Sequence, residues 1–171
     1  MWKPIAGAAL FAVGVATLSA AAQLSSEGGP IQVDADNGEI LDREKKAIYY
    51  GNVDVIQGDA RLRADRIEVI YAGGGEGGGI GGSFGALQTI VAIGDVFYVT
   101  PDFRARGDRG TYNAGDGTIT LTGDVTVSQG NDVAQGEQLV LYIEDGRSVL
   151  SAGQDGRVRT VLVPDEDETQ E

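Results

Sequence analysis

The chain has 171 residues, with 26 acidic and 13 basic side chains and a formal net charge of −13. This charge argues against nonspecific binding to nucleic acid, whose phosphates attract basic surfaces. Cysteine and histidine are both absent, which excludes disulfides, the usual thiolate and imidazole metal sites and His-based catalytic triads. We therefore expect no metal and no cofactor, and a fold stabilised by packing and strand pairing alone.

The two ends of the chain differ in composition from its middle. Residues 1–22 contain one lysine, an apolar run and three consecutive alanines at the end, a pattern typical of a secretory signal peptide. The alternative is a retained membrane anchor, but the run is short for a span of about 20 residues. We predict a linker at 23–29, a single domain at 30–164 and a disordered acidic tail at 165–171.

One short phrase occurs three times along the predicted domain. GNVDVIQGDARLRAD begins at Gly51, GDVFYVTPDFRARGD at Gly94 and GDVTVSQGNDVAQGE at Gly123. The spacing from the last small residue of a copy to the next anchor glycine is 16 in two cases and 30 in the third. The excess of 14 matches residues 73–86, GGGEGGGIGGSFGA, so the unit is 29 residues long with one glycine-rich loop inserted. Such a fixed period is typical of one supersecondary unit stacked on copies of itself.

Apolar and polar residues alternate within each unit, as in TITLTGDVTVSQG at 118–130. A period of two predicts strands with one apolar face. The pairs Asn37-Gly38, Asp116-Gly117 and Asp145-Gly146 predict tight turns between strands. The sequence therefore predicts stacked antiparallel hairpin-like units that direct one apolar row toward a shared interior. On composition alone, an ordinary sandwich core is the favoured interpretation of that row.

Five segments, in this order, resemble a known family. They are VDAD at 33–36, YGNVDVIQG at 50–58, LRADRIEVIY at 62–71, LTGDVTVSQG at 121–130 and DGRVRTVLVP at 155–164. The chain over residues 30–164 resembles periplasmic lipopolysaccharide-transport proteins of the organic-solvent-tolerance-like (OstA-like) family. The resemblance implies an all-β fold, a twisted and partly open antiparallel β-jellyroll built from repeated strand pairs. It also implies a periplasmic protein exported by its signal peptide, and one that is not an enzyme.

The same resemblance implies a conduit for lipopolysaccharide between the inner and outer membranes of Gram-negative bacteria. Lipid A acyl chains would lie in an apolar groove while the sugars project outward. Tyr98 and Tyr112 suit the boundary between acyl chains and water, because each joins an apolar ring to a hydroxyl. The lining residues implied are Ile31, Val33, Val53, Val55, Ile67, Val69, Val96, Tyr98, Tyr112, Ile119, Leu121, Val125, Val127, Leu139 and Leu141.

The two end strands are the candidate docking edges, because an unpaired edge accepts a strand from a partner. The resemblance assigns the strand at 31–35 to an inner-membrane lipopolysaccharide transporter complex (LptC-like) and the strand at 157–163 to an outer-membrane translocon (LptD-like). Joining unlike ends would give an end-to-end homo-oligomer; the alternative is a monomer with capped ends. The edge residues are Ile31, Val33, Val158, Val161 and Val163.

Other features leave alternatives open. Two arginine rows could contact lipid A phosphates or form a mixed-charge ladder with nearby aspartates, and the ladder is favoured. The rows are Arg61, Arg63, Arg66 and Arg104, Arg106, Arg109, and the aspartates are Asp59, Asp65, Asp102 and Asp108. The G-x-G-x-x-G match at 77–82 is followed by no helix pattern and predicts a flexible loop. A secreted carbohydrate-active enzyme and a structural β-repeat surface module are the alternative functions.

Overall fold

The computed structural model describes Leu24 and residues 29–72, 85–153 and 156–163. The predicted signal peptide, acidic tail and most of the glycine-rich loop lie outside the described residues. Within them are ten strands and one 3₁₀ turn at Asp42–Glu44, and no helix of this part is long and apolar enough to cross a membrane. The strands are β1 (Gln32–Asp34), β2 (Asn37–Leu41), β3 (Lys46–Gln57), β4 (Ala60–Tyr71), β5 (Leu87–Val99), β6 (Phe103–Asn113), β7 (Thr118–Gln129), β8 (Asp132–Tyr142), β9 (Arg147–Ser151) and β10 (Arg159–Val161).

All ten strands belong to one antiparallel sheet. Its order is β1-β3-β4-β5-β6-β7-β8-β10, while β2 also pairs with β3 and β9 also pairs with β8. Strands β3 to β8 follow the chain as a meander of long hairpins, as the period-two pattern predicts. The sheet does not close on itself, since β1 and β10 are different ends of the path. This open, all-β architecture confirms the predicted fold class.

The three anchor glycines mark β-bulges at which the strands bend. Gly51, Gly94 and Gly123 have φ values of +80°, +79° and +83°, and the register of strand pairing shifts directly after each of them. At Gly94, an added Cβ would lie 3.0 Å from Cγ of Asp65 and closer still to its carboxylate. Glycine is needed there because the position requires both a left-handed φ and space for the aspartate of the neighbouring strand.

The bulges divide the sheet into two half-sheets that share one core. The β1 half-sheet contains β1, β10 and the strand segments that pair beside them, such as Val53–Gln57; the β2 half-sheet contains β2, β9 and the remaining segments. Buried side chains from both half-sheets form a single hydrophobic cluster. The sheet therefore folds over along the line of bulges, which gives the jellyroll its interior.

The predicted turns at Asp116-Gly117 and Asp145-Gly146 are confirmed, with φ of +58° and +59° at the glycines. The predicted turn at Asn37-Gly38 is wrong, because both residues begin β2 and pair with β3. Gly38 has a different reason to be glycine: a Cβ there would lie 3.3 Å from Cδ1 of Tyr49. The small residue makes room for a ring on the neighbouring strand rather than for a bend.

Candidate functional site

The predicted lining residues all lie in the one hydrophobic cluster between the half-sheets. Eleven of them are buried, and Ile31, Val33, Val127 and Leu141 are partly buried and packed against the others. Because they come from β3 to β8 and from the segment that contains β1, the cluster runs through every repeat unit. The alternation in sequence thus places these side chains on one continuous apolar surface facing inward.

An N-terminal cavity of about 290 Å³ opens between the half-sheets at the β1 end. Ile31, Val33 and Val55 line it from the β1 half-sheet, and Val69 and Ile90 line it from the β2 half-sheet. Tyr49, Tyr71 and Leu87 complete the wall. Burial raises the pKa of the Tyr71 hydroxyl, with a further contribution from Tyr49. The cavity is apolar on both walls and has phenol groups beside it, which is the chemistry of a site for hydrocarbon chains.

A second opening, here called the seam cleft, lies where the hairpin loops of the half-sheets meet on the side away from the bulges. It has a volume of about 360 Å³ and is lined by residues that include Tyr98, Phe103, Leu141, Tyr142 and Arg147. The rings of Tyr98 and Phe103 have centroids 6.4 Å apart, and the Arg147 guanidinium lies 3.9 Å above the Tyr142 ring. The cleft therefore combines apolar side chains with charged groups, namely the Arg147 cation and the carboxylates of Asp59 and Asp102.

The two tyrosines predicted for the mouth of the groove differ in position. Tyr98 lines the seam cleft, whereas Tyr112 is buried in the central cluster. Burial, with a smaller effect of the Asp59 charge, raises the pKa of Tyr98 to about 12. The Tyr98 hydroxyl thus stays protonated at neutral pH and acts as a hydrogen-bond donor.

The structure also buries residues that the predicted lining set leaves out. Ile90, Leu62 and Ala105 belong to the same alternating pattern, so the period of two was sufficient to find them. Gln57 and Leu24 are different: Gln57 is a buried polar residue at the end of β3, and Leu24 lies outside the repeats. Gln57 follows Val53 and Val55 at the same spacing of two, so the alternation places it in the inward row and only its polar character sets it apart. No repeat or alternation in the sequence points to Leu24.

The predicted docking strands lie at the two ends of the sheet path. Strand β1 is shorter than the predicted 31–35 and pairs with β3; β10 is shorter than the predicted 157–163 and pairs with β8. The β10 end is the more exposed, with Val161 56% and Leu162 69% accessible. Strand β10 ends at Val161, and two residues later the N–H of Val163 donates to Oδ1 of Asp132 at 2.9 Å.

Three of the six arginines in the two rows form ion pairs within the described part of the protein. Arg61 pairs with Asp54, Arg66 with Glu68, and Arg106 with Asp95, the last at 2.8 Å between Nη2 and Oδ1. This supports a mixed-charge ladder, but its acids are not the predicted ones. Asp65 and Asp108 instead pack against anchor glycines of the next strand. The hydrogen bond from Arg61 is the largest effect that lowers the pKa of Asp54 below its ordinary value.

No group of acidic side chains among the described residues is arranged to hold a metal ion. The acids of this part are on the outer face, at turns and in the bulges, and Glu68 has its pKa lowered by hydrogen bonds from Arg66 and Lys46. The main chemical features of the described residues are therefore ion pairs on the surface and an apolar interior.

The chain is thus an open antiparallel jellyroll whose apolar interior reaches the N-terminal cavity and the seam cleft. Residues 32–147 match the family model of the LptA/(LptD N-terminal domain) LPS transport protein, and the chain belongs to this family. An uncharacterised protein of Rhizobium meliloti (strain 1021) is 37% identical over 143 residues, which are 83% of this chain and 75% of that protein.

Two further comparisons agree with the family. The lipopolysaccharide export system protein LptA of Escherichia coli (strain K12) is 24% identical over 153 residues, covering 87% of this chain and 79% of LptA. The crystal structure of LptH, the LptA homologue of Pseudomonas aeruginosa, superposes with a TM-score of 0.66 at 21% identity and covers 79% of this chain and 96% of LptH. The LptH match confirms the fold. Membership of a family of transport proteins confirms the expectation that the chain is not an enzyme.

Proposed function

We propose that this chain carries lipopolysaccharide across the periplasm, holding the acyl chains of lipid A between its half-sheets while the sugars stay in water. The observation that carries the proposal is the single apolar cluster that runs through every unit and reaches two openings, the N-terminal cavity and the seam cleft. The periplasmic location rests on the predicted signal peptide and on LptH, which is described as a periplasmic component.

The energetics of such a site follow from the lining. Each methylene that leaves water contributes about 0.8 kcal/mol, so several acyl chains together bind firmly. Val53, Val96 and Val125 occupy equivalent positions of successive units and are each buried. A chain that moves from one unit to the next exchanges one apolar wall for a similar one, with little change in free energy. Directed movement then needs a push from a partner that supplies lipid at one end.

The central part of the interior is filled by the protein's own side chains. Ile67, Val96 and Leu121 are fully buried, while the cavity and cleft have about 290 and 360 Å³. A cavity of about 150 Å³ holds one benzene ring, so each opening accommodates a segment of a chain rather than a whole lipid A. Full loading therefore requires the half-sheets to separate along the side opposite the bulges, where the hairpin loops of one half-sheet face those of the other.

The sheet ends are the proposed docking surfaces. The β1 end would receive a strand from the inner-membrane lipopolysaccharide transporter complex, and the exposed β10 end would meet the outer-membrane translocon or the β1 end of a second copy. Free backbone groups on an end strand supply the hydrogen bonds for such an addition. The exposed apolar side chains near Val161 add buried area on pairing. End-to-end assembly of several copies would make the apolar interiors continuous between the membranes.

Photo-crosslinking in Gram-negative cells tests the proposal. A photoreactive amino acid is placed at Val55 in the N-terminal cavity, at Tyr98 in the seam cleft or at Leu121 in the central cluster. Asp54 and Thr126 are matched controls, since each is next to an inward-facing residue but points to the other face of its strand. We expect lipopolysaccharide to be captured at the interior positions and not at the controls. A folded, exported protein that captures none would have only a dry core, and the structural-module alternative would replace the transport proposal.

A further inference from the structure

Leu24 lies inside the apolar interior although it precedes the first strand. Its side chain is 2% exposed and belongs to the same cluster as the predicted lining residues. Position 24 is outside the repeat units and within the segment that sequence composition predicts to be a linker. A linker residue with this degree of burial occupies space that the proposed function assigns to acyl chains.

The backbone of Leu24 is held on both sides by side chains of the sheet. Its N–H donates to Oε1 of Gln57, and its C=O accepts a hydrogen bond of 2.8 Å from the Tyr98 hydroxyl. Gln57 also donates from Nε2 to the carbonyl of Gly29 at 2.8 Å. Gln57 and Tyr98 therefore satisfy both backbone polar groups of Leu24 with their side chains.

Gln57 is the buried polar side chain of the described core, at 1% exposure. Burial of an amide side chain in an apolar interior is unfavourable unless hydrogen bonds compensate for lost water. Two of its hydrogen bonds go to the backbones of Leu24 and Gly29, so these two residues are part of what makes a glutamine acceptable at the end of β3. Tyr98, which holds the Leu24 carbonyl, also lines the seam cleft.

We infer that Leu24 is a built-in plug of the lipid path: it binds between Gln57 and Tyr98 when no lipid is present and is displaced when an acyl chain enters from the seam cleft. The inference rests on the proposed function. Plug and acyl chain present the same apolar chemistry to the same wall, so they exclude each other. The observed affinity for lipid is then the intrinsic affinity multiplied by the fraction of molecules in which the plug is released.

A single cysteine at position 24 tests displacement, because the chain has no cysteine of its own. The full exported chain carrying Leu24→Cys is treated with a thiol reagent, with and without saturating purified lipopolysaccharide. We expect slow labelling without lipid and a marked acceleration with it. Val149→Cys is the control, since Val149 is 40% exposed on β9 and should react at the same rate in both conditions. Labelling at position 24 that stays slow while lipopolysaccharide is bound overturns the plug.

The direction of an affinity change separates a plug from an ordinary core residue. Leu24→Asp cannot keep a charge in the interior, so the plug is released and the affinity for lipopolysaccharide should rise about three- to tenfold. If Leu24 only stabilises the fold, the same change lowers both the melting temperature and the affinity, which contradicts the inference. Lipopolysaccharide binding by the wild type with no effect at position 24 refutes the plug alone. Absence of any binding by the folded wild type refutes the proposed function, and the plug with it.

Discussion

Replacement of Gly94 by alanine tests whether the anchor glycines set the bulges that fold the sheet over. Gly94 has φ of +79°, a conformation that costs an L-residue about 1–2 kcal/mol. The new Cβ would also lie 3.0 Å from Cγ of Asp65 and nearer still to its Oδ2, so the aspartate must move. A forced rearrangement of this kind costs about 1–3 kcal/mol. We therefore expect Gly94→Ala to lower the free energy of unfolding by about 2–5 kcal/mol.

Urea denaturation measures this loss, and Gly130→Ala is its matched control. Gly130 has φ of +58°, and no heavy atom lies within 4 Å of an added Cβ, so only the backbone contribution of about 1–2 kcal/mol applies. The double variant Asp65→Ala with Gly94→Ala should lose less than the sum of the single changes, because the carboxylate that clashes is gone. Equal losses at Gly94 and Gly130, with additive behaviour of the double variant, would refute the packing of Asp65 against the bulge.

Three further predictions concern charge, the seam cleft and the sheet end. Arg61 lowers the pKa of Asp54, so the ion pair stabilises the fold at pH values above the unfolded pKa of about 3.9, and this contribution is lost as pH falls through the folded pKa. Carboxyl NMR should find the Asp54 pKa raised in Arg61→Gln. An unchanged pKa would exclude the pair in solution. Burial raises the pKa of Tyr98 to about 12, so the contribution of Tyr98 to the free energy of unfolding is present below the unfolded pKa of about 10 and is lost between about pH 10 and 12. Alkaline denaturation should therefore be less steep in Tyr98→Phe. An identical denaturation curve would contradict the burial of Tyr98. Val161→Lys adds a charge to an exposed end strand. Sedimentation should therefore find weaker self-association, while the melting temperature stays unchanged. Equal self-association of the variant and the wild type would contradict the proposal that β10 is a docking edge.

The sequence was informative where a local rule determines the structure. Alternation of apolar and polar residues predicted the long strands and the inward row, because side-chain direction in a strand has a period of two. The repeated glycines at 51, 94 and 123 served as anchors of the repeat unit, and the structure places them within strands, with a left-handed backbone at the bulges. The Asn37-Gly38 pair was misleading, since the same dipeptide that favours a turn here accommodates the Tyr49 ring.

Features that depend on strand register could not be derived from the sequence. Arg61 and Asp54 are diagonal neighbours across the β3–β4 hairpin, in which Asp54 is directly opposite Arg63. The bulges shift such pairings, so the acids that contact the arginines differ from the ones that spacing predicted. Nor could the sequence predict the two openings, because each is formed by residues of both half-sheets that are distant along the chain.

The Leu24 contact was beyond sequence reasoning for a related reason. It joins residues 33 and 74 positions apart, and Leu24 belongs to no repeat. The sequence places Gln57 in an otherwise apolar row, but by itself this glutamine resembles an ordinary residue next to a turn.

Methyl NMR with spin-labelled lipopolysaccharide tests most directly whether acyl chains enter the interior. The label is attached to an acyl chain, and the isoleucine, leucine and valine methyl groups of the protein are observed. We predict strong broadening for Val55 and Val69 in the N-terminal cavity and for Leu141 at the seam cleft, with Val149 on the outer surface unaffected. Broadening confined to outward-facing methyl groups such as Val149, with the interior unchanged, would contradict the account.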